Sequence, residues 1–430
     1  MAQSLKDILA RVKHSDGLAK VFSFTAISTL VKFLTGFISV KVVATLIGPA
    51  GIALLGQLNN FSSIIMTIAS GGINNGVTKY IAEYKESEST VKDFLSTALK
   101  ITLVCSFVCG VLLIIFSTGL SSLILKSTEY YYVFVILGIT LFLYALNNLL
   151  ISILNGYKEF KKYVSVNIAG SILGLAFTVI FVYTLSLKGA LISAVTFQSI
   201  TFFASLWMIR ELPWVTKSYF KEKFNIIIAH KYFKYALMTF VTAATVPISQ
   251  LFLRSYVISN ISVTEAGWWE AMNRISGMYL MILTSSFGVY YLPKLSEISD
   301  RLDLRKEIFK AYKIIIPIVL VGFVLIYVCR IFIIRILFTP DFLPMEQLFV
   351  WQLAGDFFKI VSWLLAFVMV AKTMTKTYII TEILFAGLLV GLGLFLVNLN
   401  GITGITQAYA INYFVYSITM IVIFRKLIFN

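Results

Sequence analysis

The chain has 430 residues, of which 59% are hydrophobic and only 13% charged, with a mean hydropathy of +0.90. A soluble protein carries roughly 25% charged residues, so this composition excludes a soluble globular domain. The formal net charge of +16 would suit a nucleic-acid binder, but the placement of the charges excludes that reading.

Met1 to Lys20 is polar and carries Lys6, Arg11, Lys13 and Lys20, so no cleavable signal peptide is expected. Apolar runs of about 20 residues follow along the whole chain, the pattern of bilayer-spanning helices. Twelve spans are expected near 21–46, 54–78, 95–118, 131–155, 163–185, 189–209, 235–258, 270–292, 312–335, 349–371, 377–398 and 402–424. With the N-terminus inside, the cytoplasmic segments hold 25 of the 36 Lys and Arg, whereas the opposite loops hold only Lys126 and Lys188. That asymmetry follows the positive-inside rule and places both termini in the cytoplasm. The basic excess is topology, with attraction to anionic membrane lipid as a second effect; no nucleic-acid partner is expected.

The first span carries Thr25, Ser28, Lys32, Thr35 and Ser39 at helical spacing, and the second carries Gly56, Asn60, Ser63, Thr67, Ser70 and Asn74. Such stripes face another helix or a wet cavity rather than lipid. Packing through small residues accounts for Ser and Thr. Lys32 lies about 16 Å from the cytoplasmic end at 1.5 Å per residue, too deep to snorkel easily. Gly48-Pro49 with Gly51 predicts a tight turn on the far side. Gly71, Gly72 and Gly76 weaken the helix near its cytoplasmic end, with Lys79 at the boundary, and read either as a hinge and gate or as a plain helix end.

Cys105, Cys109 and Cys329 lie in apolar runs without metal-ligand partners, and His14 and His230 fall in expected loops. No metal site or cofactor is expected. The stretch 210–234, with Lys217, Lys221, Lys223, Lys231 and Lys234, reads as a cytoplasmic basic linker lying on the bilayer surface. In the second half, Glu270 and Arg274 sit beneath Trp268-Trp269 at the start of the eighth span, and Asp356 and Lys359 lie deep in the tenth. Either pair can close on one helix face. Lys41 and Arg254 lie nearer the non-cytoplasmic ends, within snorkelling reach, as do Arg330 and Arg335.

Shifting the sequence by 215 or 216 positions aligns Ala50-Gly51 with Ala266-Gly267, Lys79 with Lys294, Tyr163 with Tyr378, Gly189 with Gly404 and Arg210 with Arg425. The expected fold is an all-α membrane protein of two pseudo-twofold-related six-helix lobes, 1–209 and 235–430, joined through 210–234. Lys32, Lys41, Arg254, Arg274 and Lys359 outnumber Glu270 and Asp356 among the intramembrane charges singled out. A surplus of cations suits an anionic substrate such as a phosphate or pyrophosphate.

Residues 47–61, IGPAGIALLGQLNNF, and 71–84, GGINNGVTKYIAEY, resemble the O-antigen translocases and lipid III flippases. These form the polysaccharide branch of the multidrug, oligosaccharidyl-lipid and polysaccharide exporter superfamily. The resemblance implies a flippase for undecaprenyl-diphosphate-linked oligosaccharide in the bacterial inner membrane, working by alternating access and coupled to an ion gradient. It implies Asp356 or Glu270 as the coupling carboxylate. Substrate contacts would come from Lys32, Lys41, Asn60, Asn74, Arg254, Arg274 and Lys359. A polysaccharide polymerase and a chain-length regulator are the further partners it suggests. A drug or organic-cation exporter would share the fold but favour acidic cavity residues. A glycosyltransferase or polymerase would need a large extramembrane loop, and an assembly scaffold would not need buried charges. No DxD motif, Walker loop or nucleophile elbow occurs, so a transporter rather than an enzyme is expected.

Overall fold

The computed structural model describes residues 17–429; Lys6, Arg11, Lys13 and His14 lie outside them. Among the described residues the chain is helical without a strand. Nine helical segments are long and apolar enough to cross a membrane among those residues.

Two helical runs are far longer than one crossing. Helix α1, Gly17–Ala69, has 53 residues, about 80 Å if straight, against a hydrocarbon core of about 30 Å. It breaks at Gly48 (φ 64°, ψ −173°), with Pro49 opening the second arm. Glycine adopts this backbone without a Cβ clash, and proline suits the first helical position because it has no N–H to satisfy. The turn expected at Gly48-Pro49 is therefore present. After α2 (Asn74–Tyr84), α3 (Glu88–Ile115), α4 (Ser117–Leu125) and α5 (Tyr131–Gly156) comes α6, Phe160–Ile209, which breaks likewise at Ser186 (φ 49°, ψ −126°).

The remaining helices are α7 (Ile226–Asn260), α8 (Val263–Ser286), α9 (Leu292–Glu297), α10 (Arg301–Val328), α11 (Arg330–Leu337), α12 (Phe349–Ala371), α13 (Thr375–Asn400), α14 (Thr403–Ile423) and α15 (Arg425–Phe429). The expected eighth span is helical as α8, but with Glu265, Glu270 and Arg274 among its polar residues it is not one of these nine segments. It runs through a π-helical turn, Phe287–Tyr291, into α9. Large apolar side chains stand exposed along α3 and α10, such as Phe107 at 71% and Val328 at 69%. Water would not tolerate such faces on this scale, whereas lipid does.

The offset seen in the sequence recurs in the backbone. Lys158 and Thr373, 215 positions apart, both have positive φ (60° and 53°). Each lies in the same turn: the Glu159 N–H donates to Leu154 O at 2.9 Å and the Met374 N–H to Met369 O at 2.8 Å. Ser186 and Gly401 share a second left-handed break at the same offset. Gly189 and Gly404 then lie against the carbonyls of Phe181 and Leu396, where a Cβ would collide.

The described residues pack as two compact units, one comprising 17–39 with Ile65–Phe240, the other Val40–Ile64 with 241–429. The first is built around Val77, Phe94, Ile153 and Tyr232, the second around Leu295, Ile360, Leu364 and Met369. The stretch 210–234 is docked onto the first unit rather than lying as one amphipathic segment. Trp214 and Tyr232 are buried in its core, Trp214 stacks on Tyr157 at 5.8 Å, and Lys100 donates to Glu222 O at 2.5 Å. His230, expected in a loop, lies on α7.

Candidate functional site

In the first unit, Lys32 is exposed and its ammonium donates to Asn167 Oδ1 at 2.8 Å. An ammonium has three donors, so this contact orients it without exhausting it. Ser28 on the same face is buried, while Thr35 turns its hydroxyl onto Val31 O at 2.8 Å. The second stripe is interrupted. Helix α1 stops at Ala69, and Gly71 and Gly72 follow with φ of 66° and 63°. Asn74 then opens the separate helix α2, so it does not share a helix face with Asn60 as the spacing suggested. Gly72 requires its hydrogen twice over, because a Cβ there would sit 3.2 Å from Ala236 Cα. Gly76 is buried within α2, and Lys79 is exposed 3.8 Å from Glu83.

The second unit gathers most of the predicted charges. Asn60 donates to Gln250 Oε1 at 3.1 Å, and the neighbouring Gln57, fully buried, donates to Ser255 Oγ at 2.8 Å. Lys41 does not reach outward. Its ammonium lies 3.0 Å from Phe338 O and 3.4 Å from Arg335 O, capping the carbonyl end of α11, where a cation complements the helix dipole.

Arg254 departs furthest from the snorkelling reading. It is fully buried, its Nη2 lies 2.5 Å from Glu270 Oε2, and its guanidinium stacks 5.2 Å from the Trp269 ring centroid. Arg274, one turn beyond Glu270 on α8, donates its Nε to the other carboxylate oxygen at 3.2 Å. One carboxylate therefore serves two guanidiniums, leaving a buried cluster with one net positive charge. Gly56 makes room for it: a Cβ there would come 2.5 Å from the Glu270 carboxyl carbon.

Asp356 and Lys359 meet through a third residue rather than directly. The Tyr409 hydroxyl on α14 donates to Asp356 Oδ1 at 2.7 Å and accepts from Lys359 Nζ at 3.1 Å. The other oxygen of Asp356 accepts from Ser276 Oγ at 2.7 Å, from Gln352 Nε2 at 3.3 Å and from the Tyr279 hydroxyl. Four donors surround a carboxyl group that is 0% exposed and meet both of its oxygens. Lys359 is held over aromatic faces, 4.9 Å from Tyr413, 5.2 Å from Trp363 and 5.4 Å from Tyr409. Gly355 permits this, because a side chain there would collide with the Tyr409 ring.

Tyr409, Tyr279, Ser276 and Gln352 carried no signal of their own in the sequence, since tyrosines and serines abound in these helices. Glu382 did carry one. It is an acidic residue inside the apolar run of α13, and it lines a cavity together with Lys359. A search for every ionisable group within the expected spans would have found it. Its inclusion narrows the surplus of cations without removing it. Among the described residues, no group of three or more His, Cys, Asp or Glu converges as a metal site.

Solved structures of the same fold include an inward-facing multidrug resistance MATE transporter of the MOP superfamily, with a TM-score of 0.79, 16% identity, and coverage of 93% of this chain and 98% of that one. The lipid II flippase MurJ in an inward closed conformation matches with a TM-score of 0.72, 17% identity, and coverage of 93% and 87%. The lipid III flippase of Escherichia coli (strain K12) is 28% identical over 399 residues, covering 93% of this chain and 96% of its own length. The family model described as polysaccharide biosynthesis protein matches residues 18–299, and the chain belongs to that family.

Proposed function

We propose that this protein is a flippase that carries an undecaprenyl-diphosphate-linked oligosaccharide from the cytoplasmic to the periplasmic leaflet of a bacterial inner membrane, by alternating access. The observation that carries this reading is the 28% identity to a lipid III flippase across 93% of the chain. The substrate's pyrophosphate and sugars cannot cross hydrocarbon unaided, whereas its isoprenoid tail can remain in lipid. The drug-exporter reading fits the fold equally well, but the surplus of intramembrane cations supports an anionic substrate. A polymerase and a chain-length regulator would act on the delivered product.

In this reading two lobes of six helices each, twelve spans in all, are joined through 210–234, and both termini are cytoplasmic. Gly71, Gly72 and Gly76, with Lys79, form the hinge beside the cytoplasmic gate. In a cysteine-free background, cysteines at Ser127 and Ser262 are expected to react with impermeant thiol reagents from outside the cell, and cysteines at Ser89 and Ser218 are not. The opposite labelling pattern would overturn the orientation.

Of the cations singled out as substrate contacts, Lys32 combines exposure with donors that have no further partner among the described residues. Lys41 is occupied at a helix end and Arg254 is fully buried. Lys32 is therefore the first candidate contact for the pyrophosphate. Purified protein in proteoliposomes should translocate the lipid-linked oligosaccharide. Lys32→Ala should slow translocation about 10- to 100-fold, the range for losing a charged hydrogen-bonding partner, without loss of protein. Lys32→Arg should keep part of the rate. Arg330→Ala is the control: Arg330 lies 3.8 Å from Glu346 and stacks on Tyr327, so its loss should be mild. Normal translocation by Lys32→Ala sinks the assignment.

Ion coupling is assigned to Asp356, with Glu270 as the alternative. Asp356 is the better candidate because its four donors can rearrange around a change of charge, whereas Glu270 is tied between two arginines.

A further inference from the structure

A cavity of about 220 Å³ lies wholly within the second unit, among α7, α8, α12, α13 and α14. Three residues of its lining each carry a buried polar atom that lacks a hydrogen-bond partner among the described residues: Asn273 Nδ2, Gln352 Oε1 and Asn412 Oδ1. Lys359 and Glu382 face the same space. An unmet buried polar group destabilises a fold, so three beside one cavity, with two charged side chains, suit a polar occupant.

The composition of the lining selects its chemistry. A bare metal cation could use the oxygens of Gln352, Asn412 and Glu382, but it would face the ammonium of Lys359 and leave the Asn273 amide unmet. An anion would face Glu382. Hydroxyl groups donate and accept at once and so satisfy both kinds of lining atom. Water does the same, but a buried water needs two to four polar partners, and the lining also includes the aromatic residues Trp269, Phe385, Tyr413 and Tyr416. A pyranose ring offers hydroxyls at its rim and C–H groups on its faces, which lie well against aromatic rings. The volume is below the roughly 300 Å³ at which drug-sized pockets begin, so it admits one ring and not an oligosaccharide.

We propose that this cavity is a subsite for a single sugar ring of the transported glycolipid, an inference that rests on the flippase reading. Tyr409 belongs to its wall and also donates to Asp356, so an occupied subsite touches the partner of the residue assigned to ion coupling.

The test uses the full-length protein in lipid nanodiscs, titrated with free neutral hexoses, N-acetylhexosamines and hexuronic acids, and separately with sodium chloride and orthophosphate. Binding is read from tryptophan fluorescence, to which Trp269 in the wall contributes. At least one sugar class should saturate, with a dissociation constant of about millimolar order. Asn412→Leu and Asn273→Leu should each weaken it about tenfold, the loss of one hydrogen bond. Because each replacement removes an unmet polar group, neither should lower the thermal unfolding midpoint. The proposal is overturned if no sugar saturates, if only sodium or phosphate does, or if both leucine variants bind sugar as the parent does. Translocation of lipid-linked oligosaccharide by the parent protein is measured separately: its absence sinks the flippase reading and leaves the titration standing.

Discussion

Glu270→Ala is expected to destabilise the protein by about 3–5 kcal/mol, the range for breaking a buried ion pair by removing one partner. The asymmetry of the cluster makes the prediction specific. Removing Glu270 leaves two guanidiniums, one of them fully buried, with no counter-charge. Arg254→Met instead leaves Glu270 still paired with Arg274, and Met occupies similar volume beside Trp269, so its cost should be clearly smaller. The double variant Glu270→Ala with Arg254→Met should recover part of the loss, because it no longer strands the deepest charge. Gly56→Ala should act like a weaker Glu270 variant, since its methyl would press on the carboxylate. Fluorescence-monitored thermal unfolding of the detergent-purified proteins measures all four. Equal losses for Glu270→Ala and Arg254→Met would show that the cluster is not held by the shared carboxylate.

The parts of this fold that are local in sequence were legible there. Apolar run length marks the helices, and Gly48-Pro49 marks a break because the backbone geometry needs glycine and the following position tolerates proline. The duplication was visible as scattered matches at one offset, and those matches fall near turns that the backbone repeats, such as Gly189 and Gly404. Ser186 shows the limit: it adopts a left-handed conformation that no residue preference announces, whereas Gly401 at the matching position does announce it. The candidate site was read less well because its partners come from far along the chain. The helical spacing of Asp356 and Lys359 suggested a direct pair, yet the bridging Tyr409 is 53 residues from Asp356. The spacing of Glu270 and Arg274 foretold their contact, but the approach of Arg254 depends on how α7 packs on α8. Depth along a helix, the ground for expecting Arg254 to snorkel, says nothing about which side of that helix meets protein.

Neutralising Asp356 and Lys359 together is expected to yield a folded protein that no longer responds to an ion gradient. Asp356→Ala alone would strand four donors around a buried space, so its failure would not separate folding from mechanism. Asp356→Asn with Lys359→Met removes both charges while an amide oxygen still accepts from part of the ring of donors. If the arrangement served only to hold α12 against α8 and α14, this variant should both fold and translocate as the parent does. If Asp356 carries the coupling ion, the variant should fold, with an unfolding midpoint near that of the parent, but its translocation should be the same with and without an imposed gradient. Tyr409→Phe sharpens the comparison: it keeps both charges and removes the hydroxyl that joins them. That change should weaken the response to the gradient while leaving gradient-free exchange of lipid-linked oligosaccharide in place. Gradient-driven translocation by a well-folded Asp356→Asn, Lys359→Met protein would remove Asp356 from the mechanism and leave Glu270 as the next carboxylate to test. The distinction rests on chemistry rather than on loss of activity alone, because a group that binds the coupling ion differently in the two states ties the rate to the gradient, whereas a purely structural group does not.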